Sequence, residues 1–167
     1  MPEVKLKENT IHTINALPKL GLPAPDFKLT DGDLVERSLK DYSGKRKLIS
    51  FVPSLDTAVC SVSTKKFNEA LEGRSDVIVL VVSADLPFAQ NRWCGVEKAR
   101  LVIPLSMMQS KECAKSYGVL MENGPLAGLC ARAVFVLDQN DRISYFELVS
   151  DITQEPNYDK ALAALFQ

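Results

Sequence analysis

Two short runs of buried-strand character, each feeding into a helical stretch, constrain this chain more than any other feature of it. Val77 to Val82 is a nearly uninterrupted β-branched run, the pattern of a central parallel strand covered on both faces. Behind it, after Asp85, Leu86 to Trp93 reads as a short helix with Pro87 in its first turn. Upstream, Leu48 to Val52 is a second buried strand, stopped by Pro53, and Cys60 to Leu71 then carries helical spacing through Val62, Phe67, Ala70 and Leu71. Parallel strands need a crossover between them, so two consecutive βα units commit the chain to an α/β architecture.

The remaining elements arrange themselves around that pair. Leu101 to Ile103 is a short strand, Lys111 to Tyr117 a short helix ended by Gly118, and Ala131 to Leu137 forms a hairpin with Ile143 to Leu148 across Asp138-Gln139-Asn140-Asp141. A helix over Tyr158 to Phe166 closes the chain. Ahead of the βα units, Val4 to Leu6 and Ile11 to Ile14 alternate like a hairpin, expected as an appendage at a sheet edge. Phe27 to Leu29 and Leu34-Val35 suggest another, across Thr30-Asp31-Gly32-Asp33. The resulting order is that of a thioredoxin-like fold, with a central mixed sheet and an N-terminal β-hairpin extension.

Size and charge narrow the function. At 167 residues, 46% of them apolar, the chain suits one domain spanning 1–167. Its formal charge of −1, with no Lys/Arg-rich run, argues against a nucleic-acid partner. The longest apolar stretch falls far short of the ~20 residues of a membrane helix, and the opening MPEVKLKENT has no apolar targeting core, so a cytoplasmic location is expected. No internal repeat, no glycine-rich phosphate cradle and no metal-ligand spacing is present, and nothing calls for a metal or organic cofactor.

Chemistry concentrates on the cysteines at 60, 94, 113 and 130, none paired as C-x-x-C. The default for an intracellular cysteine is a small buried hydrophobe. Cys60 departs from it, because Pro53-Ser54-Leu55-Asp56-Thr57-Ala58-Val59-Cys60 runs from a buried strand into a helix and sets Cys60 in the first turn. There the unpaired N–H groups and the positive end of the helix dipole favour a thiolate over a thiol. Thr57 either caps that turn or offers its hydroxyl to the sulfur or to a bound oxygen substrate. Pro53 ends the strand at a defined place.

A second anomaly is Arg132, which interrupts the apolar run Leu129 to Leu137. A buried guanidinium needs a carboxylate, a row of carbonyls or a thiolate to offset its desolvation. A strand-end arginine reaching out to solvent is the plainer reading. In a fold whose strand ends converge on the Cys60 turn, an arginine here is also placed to stabilise a sulfur anion and a developing negative oxygen.

These residues match a known pattern. P-S-L-D-T-x-V-C followed by Thr64 to Asn68 resembles the active-site stretch of the peroxiredoxins, and Ser83 to Gln90, Trp93-Cys94-Gly95, Gly124-Pro125-Leu126 and Ala131 to Asp138 extend the likeness, in order, over nearly the whole chain. The resemblance is to the atypical two-cysteine subgroup, the thiol peroxidases of bacteria. It implies a peroxidatic Cys60, activating partners Thr57 and Arg132, a shielding Pro53, and Cys94 as the resolving cysteine of an intrachain disulfide. It further implies hydrogen peroxide and alkyl or lipid hydroperoxides as substrates, thioredoxin as reductant, and a homodimer. Many relatives have Pro where this chain has Ala58, which loosens the turn without removing a chemical group. Cys113 and Cys130 correspond to no role in the family and keep the buried-hydrophobe reading.

Cys94 falls at the C-terminal end of its helix and Cys60 at the N-terminal end of its own, so a disulfide, which needs Cα atoms ~4.4–6.8 Å apart, implies local unwinding. Three other chemistries compete. A cysteine hydrolase lacks a general base, since the only histidine is His12 in the N-terminal hairpin. A redox sensor shares the activated thiolate but does not turn over, and a general disulfide oxidoreductase would want an adjacent cysteine pair.

Overall fold

The computed structural model describes residues 1–167. Its framework is a seven-stranded mixed sheet built on the two βα units. In chain order, β1 (Glu3–Leu6) and β2 (Asn9–His12) pair with each other, β3 (Leu29–Thr30) pairs with β4 (Glu36–Arg37), and β5 (Arg46–Phe51) leads into α1 (Ala58–Ala70). Then follow β6 (Val77–Ser83), α2 (Pro87–Glu97), β7 (Val102–Ser106), α3 (Glu112–Ser116), β8 (Ala133–Leu137), β9 (Ile143–Leu148) and α4 (Tyr158–Leu165). The sheet order is β4-β3-β7-β6-β5-β8-β9, with β5, β6 and β7 parallel and β8 antiparallel to β5.

Side-chain alternation along the central strands divides the core. Leu48, Val79, Val81, Val102, Val134 and Val136 face one side and pack with Phe67 of α1, Trp93 of α2 and Ala161 and Leu165 of α4. Ile49, Phe51, Leu80, Val82, Phe135 and Leu137 face the other, against Phe27, Leu29 and Tyr117. Burial on both faces is why β6 reads as a continuous apolar run rather than an alternating one. Phe67 meets Tyr158 edge-on at 5.2 Å between ring centres, which ties α1 to α4.

Four expectations need correction. The N-terminal hairpin is not an appendage of the sheet edge: β1 and β2 form a separate two-stranded sheet, held by single bridges from Lys5 to Asp151 and from Thr13 to Met121. The second hairpin starts later than expected, because the Asp31 carboxylate accepts from both Asp33 N and Val35 N and extends the turn past Leu34. Helix α2 continues beyond Trp93 to Glu97, and ends where Lys98 takes the left-handed conformation (φ 53°). Strand β7 runs through Pro104; β3 reaches β7 only at Ser106, so the missing proline N–H faces a side that forms no ladder there.

Candidate active site

The loop after β5 and the first turn of α1 build the site. Pro53 is buried and ends the strand. Ser54 to Thr57 then forms a turn, with Ser54 O accepting from both Thr57 N (3.2 Å) and Thr57 Oγ1 (3.0 Å). Thr57 stands at the N-cap position, but its hydroxyl is spent on Ser54 O and does not cap the helix. The first helical bond runs from Ser61 N to Thr57 O, and the N–H groups of Ala58, Val59 and Cys60 find no acceptor in the chain. Cys60 therefore lies, fully buried, among uncapped donors at the positive end of a thirteen-residue helix. Its carbonyl is anchored from the next turn by Ser63 Oγ and Thr64 Oγ1.

Arg132 does not interrupt a strand. It immediately precedes β8, and because Ala133 pairs with Phe51, it lies beside the end of β5 where the Pro53 loop departs. The side chain is 2% exposed. Nε and Nη2 both donate to Ile152 O, at 3.1 and 2.9 Å, so a carbonyl rather than a carboxylate receives it. Nη1 is buried with no partner. The segment that follows Ile152 returns to the helix: Thr153, Gln154 and Glu155 line an open depression with Ala58, Val59 and Val62. The guanidinium thus stands behind the same end of the sheet on which the uncapped turn sits, with one donor to spare.

All four cysteines are free thiols. Cys94 lies in the last turn of α2, half-buried, and loss of solvent pushes its thiol up to about 11. Cys113 and Cys130 are buried as expected, and burial likewise raises both thiols far above the usual range. Cys130 Sγ sits 3.6 Å from Met107 Sδ. Trp93, next to Cys94, donates from Nε1 to Ser61 Oγ at 3.2 Å, so a single hydrogen bond joins the immediate neighbours of Cys94 and Cys60. His12 lies in the N-terminal hairpin with Nδ1 3.5 Å from Glu3, and no group of three His, Cys, Asp or Glu side chains converges as a metal site would require.

Sequence reasoning passed over Asp85. Its Oδ1 accepts from Ser54 Oγ at 2.7 Å, and its Oδ2 from Leu55 N and Ser83 Oγ, both at 2.8 Å. The one available signal was its place just before α2, which reads as an ordinary helix-start acid.

A buried cysteine in an uncapped helix turn and a buried arginine at the same end of a thioredoxin-like sheet are parts from which a thiol-based redox site is built. Comparison with known proteins makes this specific. Residues 19–162 match the Redoxin family. The chain is 49% identical to a thiol peroxidase of Leptospira interrogans, over 98% of this chain and 97% of the relative, and 49% identical to a thiol peroxidase of Staphylococcus haemolyticus, covering 98% of each. Among solved structures, a peroxiredoxin-like protein from Aquifex aeolicus superposes with a TM-score of 0.92 at 39% identity, covering 98% of this chain and 95% of that one. A thiol peroxidase from Chromobacterium violaceum shares the fold, with a TM-score of 0.91 at 22% identity over 98% of this chain and 95% of that one. The chain belongs to the Redoxin family, as a peroxidase of the peroxiredoxin type.

Proposed function

We propose that this chain, as one domain over 1–167, reduces hydrogen peroxide and alkyl or lipid hydroperoxides through Cys60 and Cys94. The Cys60 thiolate attacks the terminal peroxide oxygen, the O–O bond breaks, and the departing alkoxide or hydroxide takes a proton to leave as alcohol or water. Cys60 becomes a sulfenic acid. The Cys94 sulfur then attacks the Cys60 sulfur, water leaves, and an intrachain disulfide forms. A thioredoxin-type dithiol returns both cysteines to thiols and carries away the two electrons' worth of oxidation as its own disulfide.

The observation that carries this reading is the pairing of unspent donors: three N–H groups at the first turn of α1 and Nη1 of Arg132, buried without a partner. A buried donor without a partner, as Nη1 is, costs free energy in a resting protein, and together these donors serve to stabilise negative charge on sulfur and on the leaving oxygen. Thr57 Oγ1 keeps its lone pairs free while its proton is held by Ser54 O, so it can accept from a peroxide O–H. Pro53 keeps water from the back of the thiolate. The neutral, desolvated thiol of Cys94 suits a responder rather than a first attacker.

The location proposed with this activity is cytoplasmic; no helix is long and apolar enough to cross a membrane. A homodimer is the assembly this reading carries, supported by Phe88 and Val96, which are 65% and 72% exposed on α2; sedimentation of the reduced protein at twice the chain mass tests it. Activity is tested by following hydroperoxide loss with reduced thioredoxin in excess. Many turnovers per chain support the peroxidase reading, whereas a single equivalent consumed without recycling points to a sensor.

A further inference from the structure

Asp85 connects the two cysteine-bearing elements. Besides its bonds to Ser54, Leu55 and Ser83, its backbone N–H donates to Ser83 Oγ at 3.3 Å and its carbonyl accepts from Ser106 Oγ at 2.5 Å. Ser83 Oγ in turn accepts from Gln90 Nε2 at 3.0 Å, and the same nitrogen donates to Leu105 O at 3.2 Å. Gln90 is fully buried in α2, one turn before Cys94. A continuous hydrogen-bonded path therefore runs from the Cys94 helix through Gln90, Ser83 and Asp85 to the loop that enters the Cys60 turn.

We propose that Asp85 is a positioning residue that latches the Cys60 turn to the root of the Cys94 helix and sets how fast the two can unwind to close their disulfide. The inference rests on the Cys60–Cys94 reading of the preceding section. The bond from Leu55 N is the decisive one. A backbone N–H cannot turn to another partner as a hydroxyl can, Leu55 is 2% exposed, and a hydrogen bond to a carboxylate is among the stronger kinds. Movement of the segment from Leu55 to Cys60 toward Cys94 breaks it. By delaying that movement the latch prolongs the sulfenic acid, which has two fates. Attack by Cys94 gives the disulfide and water; attack on a second hydroperoxide gives a Cys60 sulfinic acid and one alcohol.

The test mixes reduced protein rapidly with tert-butyl hydroperoxide, following Trp93 emission for disulfide closure and scoring Cys60 sulfinic acid by mass spectrometry at excess peroxide. In Asp85→Ala, closure is expected to run roughly tenfold faster, the factor given by one charge-assisted bond absent from the closed state, with less sulfinic acid per turnover. Asp85→Asn falls between, because its amide oxygen still accepts from Leu55 N. A general loss of structure would instead slow both peroxide reaction and closure. Closure in Asp85→Ala that is no faster than in the unaltered protein overturns the latch. Should Asp85→Ala fail to fold, Ser54→Ala removes one of the three donors, and a smaller acceleration is expected; none overturns the proposal. Absence of a Cys60–Cys94 link in the unaltered protein overturns the disulfide reading itself, and the latch with it.

Discussion

Replacing Arg132 by Met separates what the arginine does for stability from what it does for chemistry. Methionine keeps an unbranched apolar stem in a site that is 2% exposed and removes the guanidinium. The change deletes two hydrogen bonds to Ile152 O and strands that carbonyl, an unfavourable contribution of about 1–3 kcal/mol. It also removes a buried charge whose Nη1 has no partner, and replacing buried ionic groups by apolar ones of similar volume is often neutral or stabilising by about 1–4 kcal/mol. The two oppose one another, so the net change in unfolding free energy is expected to stay within about 2 kcal/mol. Transition-state stabilisation has no such compensation: loss of one preorganised donor costs about 10²–10³-fold in rate. The assay is urea unfolding beside rapid-mixing measurement of the second-order rate with peroxide. A well-folded Arg132→Met protein that reacts within threefold of the unaltered one would refute the role given to Nη1.

Other outcomes follow from the same geometry. Cys94→Ser is expected to consume one equivalent of peroxide, accumulate sulfenic acid at Cys60 and stop, which dimedone labelling reads directly. If Cys94 reacts only after unwinding relieves its burial, the rate of disulfide closure should level off near pH ~8.5, the range of an exposed thiol. A rate that climbs steadily toward pH 11 would mean that the folded, desolvated thiol, held up at about 11, is the attacker. Stability should fall above pH 9. Burial raises Cys94, Cys113, Cys130 and Tyr117 above their ordinary values, so each binds its proton more tightly folded than unfolded. That contribution is fully present below the unfolded values and lost as pH rises through the folded ones, by up to ~1.4 kcal/mol per pH unit for each group. Urea midpoints at pH 8 and pH 10 check this, and Cys130→Ala should flatten the decline. Finally, Ser61→Ala, which removes the acceptor of Trp93 Nε1, should leave the fold intact and shift the resting Trp93 emission, which a steady-state spectrum of the reduced protein reads.

Those features of the site that depend on local chain direction were legible in the sequence. The β-branched run of β6 and the strand-to-helix step at Pro53 fixed where Cys60 would stand, because burial pattern and helix start signals are properties of neighbouring residues. Features that depend on contacts between distant segments were not. Asp85 meets Ser54 and Leu55 some thirty residues away, and nothing about an acid before a helix announces it. Lys47, a fully buried lysine in β5, has its partner, Asp141 of the β8–β9 turn, 94 residues further along the chain. Arg132 was visible as an anomaly, but its partner was not: Ile152 O satisfies two of its nitrogens and leaves the third, a count that only the folded arrangement provides. The lengths of α2 and β7 were underestimated for a related reason. Where α2 stops is set by Lys98 taking the left-handed turn, and β7 runs through Pro104 because its unladdered side tolerates the proline.

The central claim is that Cys60 and Cys94 form one redox couple within a single chain. The most direct measurement adds one equivalent of an alkyl hydroperoxide to the fully reduced protein and maps its cysteines by non-reducing peptide mass spectrometry. A Cys60–Cys94 linkage within one chain, with Cys113 and Cys130 still thiols, is the expected result. A Cys60 sulfenic or sulfinic acid without that linkage would remove Cys94 from the cycle, and an unmodified Cys60 would contradict the account from its first step.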